Sequence, residues 1–372
     1  MATKGSPKLC VVFVVSTLGR TGPSRQLLNL ARHLYELSVT VHIVTLSPEP
    51  RESLINIFES SNLTLHGLNL TRLQSFFFGR RRLGRRLAEI EPNVIHSQGL
   101  RSDALCAFIK HPVKITTRRN NPFSDYPRLY GPLVGRLSAL LHLYVQRKLL
   151  IVKCAESISQ EDTKYRRDSF IIPNGVDVNA FFPLHNPQDK QRVRRSQNLP
   201  TNGCLFLYSG PLIARKNIKT LIEAFLCSNN SSDYLIILGS GSQGAALDQL
   251  ANHHPRILFR DTVPDVLPYL QASDYFISAS FDEGLPNSVL EALASGLPVL
   301  LSDIPSHREI LKHAPEAGAF FDPQGPQSLI RLIPDLPNRH LSSSGARALA
   351  CTHFDSFKVA KQYLALYENC LQ

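Results

Sequence analysis

The sequence has no long apolar run. Its longest wholly apolar stretches, such as Leu9–Val15, fall far short of the ~18 residues a membrane span requires. Met1–Lys8 lacks a basic region followed by an apolar stretch and a small-residue cleavage site, so secretion and integral membrane insertion are not expected. Seven cysteines are scattered, an odd number, with no Cys-x-x-Cys pair. That argues against a disulfide framework or a zinc site and fits free thiols in a reducing cytosol. No metal-ligand cluster is visible, and the adjacent His253 and His254 read as a surface turn. The loop after the first apolar run, Ser16–Ser24, lacks the Gly-x-Gly-x-x-Gly spacing of a dinucleotide-dependent dehydrogenase. Neither a short internal repeat nor a low-complexity segment stands out.

What is present is a globular composition of 372 residues, 43% apolar and 19% charged, enough for two domains with cores of their own. Net charge is +11, and it is one-sided. Residues 1–185 hold 25 Lys and Arg against 13 Asp and Glu; the remainder holds 16 against 17. Such a field points to an anionic partner for the first half. The densest cluster is Arg80, Arg81, Arg82, Arg85 and Arg86, just after Phe76–Phe78. On a helix these arginines cover a broad face while Leu83, Leu87 and Ile90 make an apolar one. The cluster reads either as a solvated surface face or as a contact with an anionic membrane surface. No nucleic-acid-binding module is visible.

Short β-branched runs alternate with amphipathic stretches. Strands are expected at Leu9–Val15, Val39–Leu46, Leu63–Leu68, Asn93–His96, Lys114–Thr117 and Leu149–Lys153, with a first helix from Pro23 to Leu37. A break follows: Asn174-Gly175 marks a turn, and Pro183–Asn202 reads as linker and lead-in helix. The alternation then restarts with strands at Leu205–Tyr208, Tyr234–Leu238, Ile257–Phe259, Tyr275–Ser278 and Val299–Ser302, and the chain closes with a helix at Phe357–Leu371. Two Rossmann-like α/β domains in tandem are expected.

The most informative stretch is Phe281–Pro298, FDEGLPNSVLEALASGLP. Glu283 ends a strand-to-helix loop, and Gly284 lets the backbone approach a ligand closely. Pro286 suits the first turn of the following helix, where its missing N–H costs nothing. That turn offers free N–H groups and the positive end of the helix dipole to a phosphate. Glu291 lies further along the helix, placed to accept from sugar hydroxyls. The layout can hold a nucleotide sugar, with Glu283 toward the hexose, the helix tip at the diphosphate and Glu291 at the ribose. An ordinary loop followed by a helix with one surface glutamate is the alternative.

The Glu-x7-Glu spacing within EGLPNSVLEALASGLPV resembles the signature of the retaining family 4 glycosyltransferases, which have the GT-B fold. Ser209–Phe225 (SGPLIARKNIKTLIEAF) resembles the family's donor-phosphate segment, Tyr234–Ser242 its next strand and glycine turn, Ile171–Asp177 the end of its first domain, and Val94–Gly99 the strand end that lines its cleft. The ordered set spans nearly the whole chain. The resemblance implies two Rossmann-like domains facing each other across a cleft. It divides the chain into an acceptor-binding domain, 1–182 with a C-terminal helix at 355–372 returning to it, and a nucleotide-sugar-binding domain, 183–354.

It further implies roles. Glu283 would contact the donor sugar, with Lys216 and Arg215 neutralising the departing diphosphate, because breaking the glycosidic bond builds negative charge on the leaving oxygen. Gly284, Leu285 and Pro286 would present backbone at the donor, Glu291 would hold the ribose, and Gly22, Gly210 and Gly239 would line the phosphate loops. No resident cofactor or metal is implied beyond the donor, a UDP-sugar. Retention would come from front-face attack, the acceptor hydroxyl passing its proton to the leaving phosphate, without a carboxylate nucleophile. Arg118, Arg119, Asn120, Asn121 and Asp125, in the dense polar segment Thr116–Asp125, would recognise an acceptor's sugar hydroxyls or lipid phosphate; the other reading is a polar loop.

Three positions depart from the family pattern. Thr21-Gly22 stands where two glycines are common. Pro211 follows Gly210 where an arginine is common, a charge that Arg215 can replace. Gln98 stands where a second histidine is common. Glutamine hydrogen-bonds but does not titrate, which speaks against a histidine base there. The resulting expectation is a cytoplasmic hexosyltransferase, peripheral on the inner face of the cytoplasmic membrane, acting on a glycan or lipid-linked acceptor in surface polysaccharide or O-antigen assembly. A nucleotide-sugar 2-epimerase of the same fold, or a catalytically silent nucleotide-sugar-binding scaffold, is the competing expectation.

Overall fold

The structure, a computed structural model, describes residues 9–160, 169–228 and 232–372. Met1–Lys8, read above for a leader, lie outside the described residues. The chain divides into two compact units, residues 1–175 with 356–372, and residues 176–355.

The first unit runs β1 (Cys10–Val15), α1 (Gly22–Glu36), β2 (Thr40–Thr45), α2 (Ile55–Glu59), β3 (Thr64–Gly67), α3 (Arg72–Ile90), β4 (Val94–Ser97), α4 (Leu100–Ala107), β5 (Lys114–Arg118), α5 (Pro122–Tyr130), α6 (Pro132–Gln146), β6 (Leu150–Lys153), α7 (Ser157–Gln160) and β7 (Ser169–Ile171). Its described strands form one parallel sheet, ordered β3-β2-β1-β4-β5-β6-β7. β1 reads as a continuous apolar run because both faces of a parallel sheet are covered. Val11, Phe13 and Val15 pack under α1 with Leu27, Ala31 and Leu34; Val12 and Val14 face Leu83 and Leu87 of α3 and Cys106 of α4. Helix α3 starts at a capping box between Thr71 and Gln74 and stops at Glu91, in the left-handed region.

The second unit runs α8 (Pro187–Ser196), β8 (Cys204–Ser209), α9 (Ile218–Cys227), β9 (Asp233–Leu238), α10 (Gly244–Ala251), β10 (Ile257–Arg260), α11 (Leu267–Ala272), β11 (Tyr275–Ser278), α12 (Asn287–Ala294), β12 (Val299–Ser302), α13 (Pro305–Leu311), β13 (Gly318–Phe321), α14 (Gln327–Asp335) and α15 (Ser343–His353). Its described strands form a parallel sheet ordered β10-β9-β8-β11-β12-β13. In both sheets the strand order reverses next to the first strand of the unit. Open α/β sheets bind ligands at that point, outside the carboxyl ends of the strands.

The closing helix, α16 (Ser356–Asn369), packs against α1 in the first unit, where Tyr363 and Tyr367 complete the core. The passages between units fall at Gly175–Val176 and Asp355–Ser356, not after residues 182 and 354. Hydrogen bonds set these positions. Gln26 brackets Gly175, donating to its carbonyl at 2.7 Å and accepting from its N–H at 2.9 Å. The next N–H, of Val176, donates to Phe354 instead at 2.7 Å, and Arg347 donates to the carbonyls of Val178, Phe181 and Ala294. Residues 176–182 therefore belong with the second unit.

Candidate functional site

Two loops meet at the reversal point of the second sheet. One follows β8 and contains Gly210, Pro211 and a 3-10 turn at Ala214–Lys216; the other follows the neighbouring strand β11 and carries Glu283 toward α12. The Phe281 N–H donates to the Arg215 carbonyl at 2.9 Å, binding the loops together through the backbone. Across this seam lies a charge cluster. Glu283 is only 6% exposed at its side chain; its Oε2 accepts from Arg215 Nη1 at 2.7 Å and its Oε1 from Lys216 Nζ. Arg215 also donates to the Asp282 carbonyl at 2.6 Å. Burial opposes ionisation of Glu283, but Lys216 and Arg215 outweigh it and, with the hydrogen bonds from Lys216 and Ser280, hold the carboxyl down to about 2. Glu283 is thus a fixed anion at neutral pH, unsuited to general acid–base work, and Arg215 and Lys216 form a paired cationic spot.

The glycines are steric necessities. A Cβ on Gly239 would sit 2.0 Å from the Gly210 carbonyl oxygen, and Gly239 has φ +142°. A Cβ on Gly241 would sit 2.4 Å from the Leu212 carbonyl oxygen. The loop after β9 therefore lies backbone to backbone against the loop after β8, joined by Gly210 N–H to Leu238 O at 3.0 Å and Leu212 N–H to Ser240 O at 2.9 Å. Gly284, Leu285 and Pro286 are buried. Pro286 takes the N-cap position (φ −73°, ψ 119°), so α12 begins one residue later than a first-turn proline implies. Pro286 has no side chain that can cap α12, and the first N–H groups of an α-helix lie outside its own hydrogen-bond ladder. Glu291, partly exposed, lies four residues into α12, about 6 Å along the axis.

Sequence reasoning missed the support beneath Glu283. Ser280 Oγ donates to Glu283 Oε1 at 2.7 Å, Ser302 Oγ donates to the Ser280 carbonyl at 2.6 Å, and His307 Nδ1 donates to the Ser302 carbonyl at 2.8 Å. His307 is wholly buried, and burial pushes its imidazole down to about 4. The one usable signal was position: Ser302 closes β12 and Ser280 lies two residues past the end of β11, both at the ligand-bearing edge.

In the first unit, Gly22 is the exposed first residue of α1, after β1, with Thr21 as N-cap. Gln98 follows β4, the neighbour of β1, and its Nε2 is buried without a hydrogen-bond partner among the described residues. The end of β5 and the segment after it do not present all five of the proposed acceptor residues outward. Arg118 is buried, its guanidinium donating to Gln146 Oε1 at 2.5 and 3.1 Å. Asn121 caps α5, accepting from the Phe123 N–H at 2.9 Å. Arg119 donates to Asn174 Oδ1, Asn120 is exposed and Asp125 is half-buried. The histidine of the β4 end, His96, is also structural: it bridges Thr117 and the Tyr367 hydroxyl at 2.7 Å each, and burial holds it near 3. Arg80, Arg81, Arg82 and Arg85 lie exposed on α3, and Arg86 pairs with Glu89 at 2.6 Å.

Two families match the chain: that described as Glycosyltransferase Family 4 over residues 20–180, and that described as Glycosyl transferases group 1 over residues 203–338. The O-antigen biosynthesis glycosyltransferase WclY of Escherichia coli is 27% identical over 96% of this chain and 98% of its own. A second E. coli protein, the UDP-Gal:alpha-D-GlcNAc-diphosphoundecaprenol alpha-1,3-galactosyltransferase, is 32% identical over 38% of each chain. Among solved structures, Anabaena Alr3699/HepE in complex with UDP-glucose superposes with a TM-score of 0.81 at 16% identity, over 97% of this chain and all of the other. With two matched families covering both units, two parallel sheets of reversing order and a relative aligned along nearly its full length, the chain belongs to the family 4 glycosyltransferases, enzymes of glycosyl transfer with the GT-B fold.

Proposed function

We propose that this enzyme transfers a hexose, with retention, from a UDP-sugar to a glycan or lipid-linked acceptor during assembly of a surface polysaccharide. The observation that carries the reading is the buried Glu283 ion-paired to both Arg215 and Lys216 at the reversal point of a parallel sheet, beside the N-terminus of α12. A diphosphate competes with Glu283 for the two cations. Once they turn to the diphosphate, the carboxylate is left to accept from hexose hydroxyls. The bond from the anomeric carbon to the phosphate oxygen breaks, the acceptor oxygen bonds that carbon on the same face, and the acceptor's proton passes to the departing phosphate. Arg215, Lys216 and the helix tip stabilise the charge that develops, supplying positive charge without a resident metal. Glu291 holds the ribose, Gly210 and Gly239 line the phosphate loop, and Gly22, Gln98, Arg119, Asn120 and Asp125 serve the donor phosphate and the acceptor.

The lipid-linked class of acceptor is supported by the names of relatives that act on diphosphoundecaprenol-linked sugars. A peripheral site on the inner face of the cytoplasmic membrane is supported by the basic first half and by the arginines of α3. Glu283→Gln tests the site. Release of UDP falls about 100-fold or more, while UDP binding, measured by calorimetry, holds or tightens because the cations lose their internal anion. Near-normal release, or loss of UDP binding with the fold intact, contradicts the assignment.

A further inference from the structure

Helix α6 is apolar on its outer side as well as its inner one. Two polar groups are buried on the inward side with Ala139, Leu143 and Val145. His142 Nε2 donates to Asp103 Oδ2 at 2.7 Å, and Gln146 Nε2 donates to the same oxygen at 3.0 Å, with all three side chains buried. The Tyr126 hydroxyl of α5 donates to His142 Nδ1 at 2.7 Å. The outward side carries Leu133, Val134, Leu137, Leu140, Leu141 and Tyr144, all exposed, Leu133 by 83% and Leu137 by 68%. Their spacing places them on one stripe. Leu129 and Tyr130, at the end of α5, are exposed as well. A helix whose outer face meets water carries polar residues there, and a contiguous exposed apolar face marks an interaction surface.

Charge selects the partner. From Tyr126 to Ala155 the sequence holds no Asp or Glu, while Arg128, Arg136, Arg147 and Lys148 are exposed around the stripe. Helix α4 joins this surface to α3, packing Ala104 and Ala107 against Val145 and Leu149, and Leu105 and Cys106 against Leu83 and Leu87. The exposed Phe76, Phe77 and Phe78 and the arginines of α3 therefore belong to the same helical layer. An anionic bilayer offers the complement to both features, negative headgroups and an apolar interior. At 15 residues α6 is about 22 Å long, too short to cross a core of about 30 Å, and no described helix is long and apolar enough to cross a membrane.

We propose that α6 and the end of α5 lie in the headgroup–acyl boundary of an anionic bilayer, the leucine stripe inserted, with the basic face of α3 on the surface beside it. This deepens the proposed function by naming the element that enters the lipid; it rests on that reading only for the lipid-linked acceptor, and UDP release onto a detached glycan reads the two apart. The chain has no tryptophan, so Leu137→Trp installs a single reporter. Its emission shifts to shorter wavelength with phosphatidylglycerol–phosphatidylcholine vesicles and stays put with phosphatidylcholine alone, while Tyr35→Trp on α1 does not respond. The Leu137→Glu/Leu141→Glu variant floats with anionic vesicles at least tenfold less than wild type and releases UDP onto detached glycan within twofold of it. Should the glutamates lower the melting temperature, Leu137→Gln/Leu141→Gln gives the same flotation readout. A silent Leu137→Trp reporter, or flotation unchanged by either pair, overturns the proposal. So does a wild-type dimer that the glutamate pair dissociates in the absence of any flotation, which assigns the face to a second copy of the chain.

Discussion

Ser280 Oγ donates to Glu283 Oε1 at 2.7 Å from within the same loop, and the Ser280 carbonyl is in turn held by Ser302 of the adjacent strand. Glu283 is therefore aimed by a frame as well as by its cations. Ser280→Ala removes one charge-assisted hydrogen bond and lowers turnover about tenfold, with a smaller change in the donor KM. The check is steady-state UDP release; a fall confined to KM places Ser280 in donor binding instead.

Gly239→Ala forces a methyl to within 2.0 Å of the Gly210 carbonyl oxygen. The loops after β8 and β9 must part. The expected outcome is a loss of about 1–3 kcal/mol in stability together with weaker UDP binding, read by denaturant melts and calorimetry. Wild-type values for both contradict the close approach of the two loops.

Acid sensitivity follows from buried groups. Burial lowers His96 to about 3 and His307 to about 4, and it lowers His42 and His66 as well, all from 6.5. Below pH 6.5 the unfolded chain takes up protons first. The contribution of His96 and His307 is whole above pH 6.5 and is lost as pH falls toward their folded values. Glu283, lowered from 4.5 to about 2, holds its contribution above pH 4.5 and loses it between 4.5 and 2. Stability therefore falls from pH 6.5 to 4.5 through histidines, at up to about 1.4 kcal/mol per pH unit per group. His307→Gln lowers stability at pH 7.5 and flattens that slope, as melting temperature against pH will show.

Replacing Arg80, Arg81, Arg82, Arg85 and Arg86 with serine removes five positive charges from one helix. Binding to phosphatidylglycerol vesicles at low salt weakens at least tenfold, while UDP release onto a detached glycan stays within twofold of wild type. Retained binding at every salt concentration removes α3 from the membrane contact.

Much of this was legible from residue order. The strand at Tyr275–Ser278 was bounded without error, and the Glu-x7-Glu helix was placed within one residue, because buried parallel strands and short apolar helices have strong patterns. Strands β7 and β13 escaped notice: one is a three-residue, largely exposed edge strand, and the other is four residues long and opens with glycine. Helix α6 escaped because its apolar residues run nearly all round, leaving no polar face to mark a period. At the site, the acid and the two cations could be named, but their mutual pairing could not. Arg118 illustrates the limit: sequence sees a basic loop, and only packing reveals a guanidinium turned inward onto Gln146.

Helix α16 has a consequence for biogenesis. The first unit emerges from the ribosome ahead of the second, yet Tyr363 and Tyr367, whose hydroxyls bond Thr117 and His96, are made only after the whole second unit. At about 5–20 residues per second, the early half waits on the order of ten to forty seconds for its missing wedge. The later half, contiguous in the chain, can close around its own core meanwhile. The unit begun first is completed only after its neighbour has been made, and until then its apolar seam stands open to chaperones.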